Sequence, residues 1–153
     1  VLSKSTSATD VLIRSATPTD EPVIYAFLCE LEEMELDRAT FTAIFTQNLT
    51  NPAVHYLVAE QHDKVVGFVS CHVQWLLHHG GKVGEIQELF VRPDVRNQQI
   101  GHQLITALNA LAIRENLINL EVTTNQKRTD TVRFYERESF KQTHLKLVKP
   151  TYS

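Results

Sequence analysis

The chain has 153 residues, 42% of them hydrophobic, a formal net charge of −3 and only two cysteines, Cys29 and Cys71. That is enough apolar material for one compact domain, and no basic field advertises nucleic acid or an anionic membrane as a partner. There is no run of about 18 apolar residues, so no membrane-spanning helix is expected. Two distant cysteines in apolar surroundings read as reduced core thiols of a cytoplasmic protein.

In chain order, residues 1–10 are rich in Ser and Thr and lack an apolar h-region. They read as a flexible leader, not a signal peptide, ahead of a folded domain over residues 11–153. Val11–Arg14 is a short strand. Thr17-Pro18-Thr19-Asp20 is a turn, with Asp20 as N-cap and Pro22 in the first turn of a helix whose face is Val23, Ile24, Phe27, Leu28 and Leu31. Glu30–Asp37 is acidic: a solvated helix end on the plain reading, a wall for a cationic amine on the functional one. A second helix is expected over Arg38–Leu49, with Phe41, Ile44, Phe45 and Leu49 on one face and Asn51-Pro52 to stop it. Val54–Glu60 and Lys64–Leu77 alternate as strands and read as a hairpin about Gln61-His62-Asp63. After a loop at His78–Gly81, a central strand covers Glu85–Val91. Ile118–Thr124 is a further strand, Thr129–Glu138 a short helix and Phe140–Val148 a final strand. This order predicts an α/β (α+β) domain with a mixed, mostly antiparallel sheet flanked by helices. The strands around the central helix are expected as parallel neighbours.

The stretch between those strands carries the chemistry. Arg92-Pro93-Asp94 turns the chain, and Arg96–Gly101 forms a loop feeding a helix with Leu104, Ile105, Leu108, Leu111 and Ala112 on its buried face. A loop that opens a helix presents unpaired backbone N–H groups at the positive end of the dipole, a site for an anion and most often phosphate.

Arg96-Asn97-Gln98-Gln99-Ile100-Gly101 resembles the acetyl-CoA loop of the GNAT N-acetyltransferases, Gln/Arg-x-x-Gly-x-Gly/Ala, with Gln99 in place of the first glycine. Ile13–Asp20 resembles that family's first strand and turn. Asn125 with Arg133-Phe134-Tyr135 through Phe140 resembles its Asn…Phe-Tyr-x-x-x-Gly-Phe signature, with Ser139 in place of glycine. His72-x-Gln74, His78-His79, Gly84–Leu89 and Thr124–Asp130 together resemble the aminoalkylphosphonate N-acetyltransferases. The resemblance implies a single-domain fold in which the two central parallel strands splay and acetyl-CoA lies in the gap. Arg96, Asn97, Gln98, Gln99, Ile100, Gly101 and His102 would then hold the pyrophosphate. Leu89, Phe90 and Val91 would pair with the pantetheine, Asn125 would meet it, and Tyr135 would lie at the cofactor sulfur. Family members are often homodimers, but no periodicity marks an interface.

An alkylammonium attacks a thioester only after losing a proton, which a carboxylate can take. Glu85 and Glu88 are the candidates. Three apart, they are expected on opposite faces of a regular strand, unless a bulge re-aims the chain. The motif sets Glu85 near the family's base position, whereas Glu88 lies closer to the thioester-binding backbone, and the choice stays open. Backbone N–H groups near Leu89–Val91 suit the oxyanion, and Tyr135 suits protonation of the leaving thiolate. Neither cysteine has an obvious paired base, so direct transfer is expected. His72, His78 and His79 are candidates to bind a phosphonate, assist deprotonation or hold a divalent metal with a carboxylate, though no metal site is assigned. Arg128 is a further candidate for an anionic acceptor. Three functions compete: acetylation of an aminoalkylphosphonate; acetylation of another amine such as a polyamine, amino sugar or protein lysine; and a non-catalytic acetyl-CoA-binding module.

Overall fold

A computed structural model describes residues 10–152. Strand β1 (Leu12–Ser15) leads through a 3-10 turn at Pro18–Asp20 into α1 (Glu21–Glu32) and then α2 (Arg38–Leu49). Strands β2 (Val54–Gln61), β3 (Lys64–Leu76) and β4 (Gly81–Val91) follow, then α3 (Ile100–Arg114), β5 (Asn119–Val122) and α4 (Thr129–Arg137). The sheet runs in the order β1-β2-β3-β4-β5; the first four strands pair antiparallel and β4 pairs parallel with β5. This is the expected mixed, mostly antiparallel α/β architecture.

Local chemistry sets these elements. The β2–β3 hairpin turns through His62 (φ 51°) and Asp63 (φ 62°), the two positive dihedrals that let a tight turn match strand twist. Asp37 caps α2 by accepting from the Thr40 N–H at 2.9 Å. Asp20 departs from its expected role, because its side chain does not cap α1. It turns back instead, accepting from the Thr17 N–H at 2.7 Å and from both terminal nitrogens of Arg14 at 2.8 and 3.0 Å. That clamp ties β1 to α1, and the Arg14 hydrogen bonds hold the Asp20 carboxyl below the ordinary carboxylate range.

Each face of the sheet has its own core. Leu57, Val69, Cys71 and Ile86 pack with Ile100, Leu104 and Leu108 of α3 and with Tyr135. On the other face Val58, Phe68 and Phe90 pack with Ile24, Phe27 and Leu28 of α1 and Phe45 of α2. Ile44, expected on the buried side of α2, is 54% exposed.

Most strand and helix ends fall within one residue of expectation, and three departures are larger. β4 begins at Gly81, four residues before Glu85, because a 3-10 turn over Leu77–His79 closed by Gly80 (φ 65°) reverses the chain in fewer residues than a loop. β5 covers only Asn119–Val122 of the expected Ile118–Thr124. The expected final strand at Phe140–Val148 does not form. Leu145 and Leu147 are 89% and 92% exposed, and alternation without a pairing edge and a burying face does not make a strand. The leader over residues 1–9 falls outside the described residues.

Candidate active site

β5 determines where the sheet opens. It pairs with β4 only from Val83↔Asn119 to Ile86↔Val122. β4 runs on to Val91, still paired with β3 on its other side as far as Gly67↔Val91. From Gln87 to Val91 the β5-facing edge of β4 therefore has no strand beside it. Backbone groups there need a partner, and an extended amide-bearing arm laid into the gap would supply one. Leu89, Phe90 and Val91 hold this position, with Phe90 buried on one face and Leu89 and Val91 packed on the other.

The loop ahead of α3 is a 3-10 turn over Pro93–Gln98 followed by Gln99 at φ 58°, ψ 30°. Gln99 thus adopts the left-handed backbone that glycine would take there. It is an unusual conformation for a residue with a Cβ, and it turns the chain into the helix. Gly101 serves a different need: a Cβ there would lie 3.1 Å from the Phe134 ring, so glycine lets α4 close on the first turn of α3. The loop and α4 enclose a cleft of about 330 Å³, with Arg96, Asn97, Gln99, Gly101 and His102 on one wall and Phe134, Arg137 and Glu138 on the other. Arg96 is braced by its Nε, which donates to the Val91 carbonyl at 3.0 Å. His102 Nδ1 lies 2.7 Å from Glu138. Two residues of the expected set turn away: Ile100 is fully buried in the core, and the Gln98 side chain accepts from Gln61 Nε2 at 2.6 Å. Neither residue lines the cleft.

On β4 the two glutamates share a face. Ser70 pairs with Glu88, but Cys71 pairs with Ile86, so Gln87 is an extra residue. This bulge resets the alternation. Glu88 opposite Ser70 and Glu85 opposite His72 then both project from the side that carries Phe68 and Phe90. The expectation of opposite faces fails because the strand is not regular. Glu88 is tied down: the Ser70 hydroxyl donates to its carboxylate, and its own N–H donates to Ser70 Oγ at 3.0 Å. Glu85 makes no hydrogen bond or ion pair to the described residues.

Where the strands still pair, just before the gap, Glu85 registers with Glu121 of β5, and Glu121 meets His79 Nε2 at 3.7 Å. His72, Glu85 and Glu121 thus form a row over three strands with His79 at its end, and the His78 ring lies 4.3 Å from that of His79. Sequence reasoning missed Glu121, whose only signal was an ionisable residue inside a short apolar strand. Ser70 was also missed, as were Arg137 and Glu138. No hydrogen bond or ion pair joins Arg128 to these histidines; it stands exposed at the start of α4, past Asn125. The Asn125 side-chain oxygen accepts from the Lys127 N–H at 2.9 Å, which shapes the turn into α4. The acidic Glu30–Asp37 stretch lies at the end of α1 and in the loop before α2. Among the described residues no group of three His, Cys, Asp or Glu side chains is arranged to hold a metal.

Tyr135 is 6% exposed, its ring edge-on to Phe134 and Phe140. Burial pushes its phenol up to about 12. Among the described residues no group bonds its hydroxyl, yet no fully buried side-chain polar atom there lacks a partner. The hydroxyl therefore opens onto accessible space at the end of the ring. Burial likewise pushes the Cys71 thiol up to about 12, with Glu115 and Glu85 adding to it. A sealed thiol of that kind is no nucleophile.

A mixed sheet whose β4 outruns its parallel neighbour β5, followed by a strand–loop–helix connection, is the frame of a single α/β domain. Residues 21–140 match the model of the acetyltransferase (GNAT) family, and the chain belongs to that family. It is an N-acetyltransferase, with the acetyl-CoA co-substrate that the family uses.

Over 137 residues it is 44% identical to the aminoalkylphosphonate N-acetyltransferase of Salmonella typhimurium, covering 90% of this chain and 89% of that protein. It is 30% identical to an IAA acetyltransferase of Azospirillum brasilense over 61% of this chain and 59% of that one. Among solved structures, a transcriptional regulator from Bacillus halodurans C-125 superposes with a TM-score of 0.85 at 23% identity, over 92% of this chain and 99% of that one. A ribosomal-protein-alanine N-acetyltransferase from Brucella melitensis gives 0.78 at 19% identity, over 94% and 100%. These two structures share the fold.

Proposed function

We propose that this enzyme moves the acetyl group of acetyl-CoA to the primary amine of a small anionic molecule, an aminoalkylphosphonate, by direct attack in a ternary complex. The observation that carries this reading is the bulge at Gln87, which turns Glu85 toward His72 and Glu121 beside the open edge of β4. The similarity to the Salmonella enzyme over most of both chains supports the acceptor class.

In this reading Glu85 takes the ammonium proton, because its carboxylate is not engaged, whereas Glu88 is held by Ser70. The freed amine attacks the thioester carbon. Backbone N–H groups at Leu89–Val91 receive the oxyanion as the carbonyl becomes tetrahedral. On collapse the carbon–sulfur bond breaks, Tyr135 gives its proton to the departing sulfur, and the second proton that the nitrogen sheds as it becomes an amide restores the Tyr135 phenol. The apolar setting that keeps the phenol protonated also disfavours a free thiolate in the same gap, which favours the transfer. Arg96–His102 hold the pyrophosphate through backbone N–H groups, and Asn125 meets the pantetheine. His72, His78 and His79 face the acceptor, and Arg128 adds positive charge at the far end of the gap. The sealed Cys71 thiol supports a route without an acyl-enzyme.

Thiol release from acetyl-CoA with a panel of amines tests the reading. 2-Aminoethylphosphonate should give a kcat/KM at least about tenfold above those of a polyamine, an amino sugar and a lysine peptide, the margin one charge-assisted contact supplies. Equal rates across the panel would remove the phosphonate, and no release despite acetyl-CoA binding would favour a non-catalytic module. Replacing His78 and His79 together by Ala should raise the acceptor KM more than the acetyl-CoA KM.

A further inference from the structure

The cleft at the start of α3 has a feature that a backbone cradle does not need. His102 stands in the first turn of α3, 54% exposed at its side chain, with Nδ1 at 2.7 and 3.0 Å from the two oxygens of Glu138. The Glu138 side chain is only 12% exposed and follows directly on α4. An ionised carboxylate only accepts hydrogen bonds, so Nδ1 must carry the hydrogen. The other ring nitrogen, Nε2, has no protein partner among the described residues. In the neutral ring held this way Nε2 is a bare acceptor, which repels phosphate. In the imidazolium it is a donor, which binds phosphate. The other charged groups lining the cleft are Arg96, from the turn before α3, and Arg137, from α4. The cleft that the His102–Glu138 pair lines thus also carries two guanidinium-bearing residues.

We infer that Glu138 is a positioning residue for cofactor binding: it fixes His102 so that seating the phosphates of acetyl-CoA takes up a proton on Nε2. The imidazolium is then held between the Glu138 carboxylate on one side and phosphate oxygen on the other, each a charge-assisted hydrogen bond. This rests on the reading of Arg96–His102 as the pyrophosphate loop. Affinity for the cofactor should accordingly fall as pH rises and the proton on Nε2 becomes harder to supply. Without Glu138 the neutral ring is free to place its hydrogen on Nε2 instead and donate to phosphate with no proton taken up.

The test is calorimetric titration of the full chain with coenzyme A near pH 8, in two buffers of different ionisation enthalpy, repeated at pH 6. The wild type should take up a fraction of a proton on binding at the higher pH and bind more tightly at the lower one. H102Q, on an exposed side chain, should abolish the uptake and weaken binding at pH 6 by about tenfold, the loss of one charge-assisted contact. E138Q should reduce the uptake while keeping part of the affinity, an outcome that simple loosening of α4 does not produce. Wild type and H102Q with the same uptake and the same pH dependence would overturn the inference while leaving the loop intact. No binding of coenzyme A by the wild type at either pH would instead bring down the loop reading and this inference together.

Discussion

At the cofactor end of the proposed site the main chain would do most of the recognition. Gln99 enters α3 in a left-handed conformation, Gly101 admits Phe134, and two of the loop's side chains, Gln98 and Ile100, point away from the cleft. At the proposed acceptor end the side chains would do the recognition and the main chain would only aim them. A single extra residue at Gln87 determines whether Glu85 and Glu88 look toward the same face. The two ends should therefore respond differently to substitution. The cofactor end should tolerate side-chain changes that preserve backbone shape, and the acceptor end should not tolerate isosteric changes that remove a proton acceptor.

The largest effect expected from that contrast is at Glu85. E85Q keeps the shape of the side chain and removes the base. It should lower kcat by about 10²–10⁴-fold, the usual worth of a positioned general base, with the acetyl-CoA KM unchanged. E88Q alters a carboxylate that Ser70 already occupies and should cost about tenfold or less. If E88Q proves the more damaging in steady-state kinetics, the roles of the two residues are exchanged.

In the proposed reaction Tyr135 acts between the two ends, so its variant separates chemistry from packing. Tyr135→Phe keeps the ring contacts with Phe134 and Phe140 and should lower kcat by about 10²-fold, the low end for a proton donor. The same residue governs behaviour in alkali. Its folded-state pKa is raised, to about 12, so the folded state holds the proton longer than the unfolded chain. The associated stability is complete below the ordinary tyrosine range and is lost as pH climbs through about 12. Cys71, also raised to about 12, adds a second such contribution that starts from the lower thiol range. Denaturant titrations across this window should show a shallower alkaline decline in Tyr135→Phe than in the wild type; matching slopes would place the hydroxyl in solvent.

Gly101→Val probes the cofactor end alone. Its side chain must displace a Phe134 ring that a Cβ would already meet at 3.1 Å. Stability should fall by about 1–3 kcal/mol, the range for overpacking, and the acetyl-CoA KM should rise while the acceptor KM holds. A rise in both would mean that α4 also organises the acceptor end.

The same contrast explains what the sequence disclosed. Helix α2 was legible to the residue, because Asp37 caps it and Asn51-Pro52 stops it, both local signals. The strand–turn–helix around Arg96–Gly101 was legible because the three elements follow one another within about 30 residues, the span of such a unit. The placement of Glu85 and Glu88 was not, because a bulge depends on how β3 and β4 register and leaves no mark in period-2 alternation. Glu121 was hidden for a related reason: its neighbours His79 and Glu85 come from elements far away in the chain. The segment after Phe140 erred in the other direction. Its alternation is real, but among the described residues no strand edge pairs with it.

The smallest effect sharpens the cofactor side of the comparison. Gln99 (φ 58°) and Ser139 (φ 72°) are both left-handed, and both stand where the acetyltransferase motifs have glycine. A side chain with a Cβ costs roughly 1–2 kcal/mol in that conformation, and glycine recovers part of it at the expense of a more flexible unfolded chain. Gln99→Gly and Ser139→Gly should each raise stability by about 0.5–1 kcal/mol in urea unfolding. The acetyl-CoA KM should stay within about twofold, since the N–H groups the loop presents are unchanged when the backbone is unchanged. A KM that instead rises tenfold in Gln99→Gly, with stability improved, would mean that the Gln99 side chain itself touches the cofactor and that this end of the site does not recognise its ligand by main chain alone.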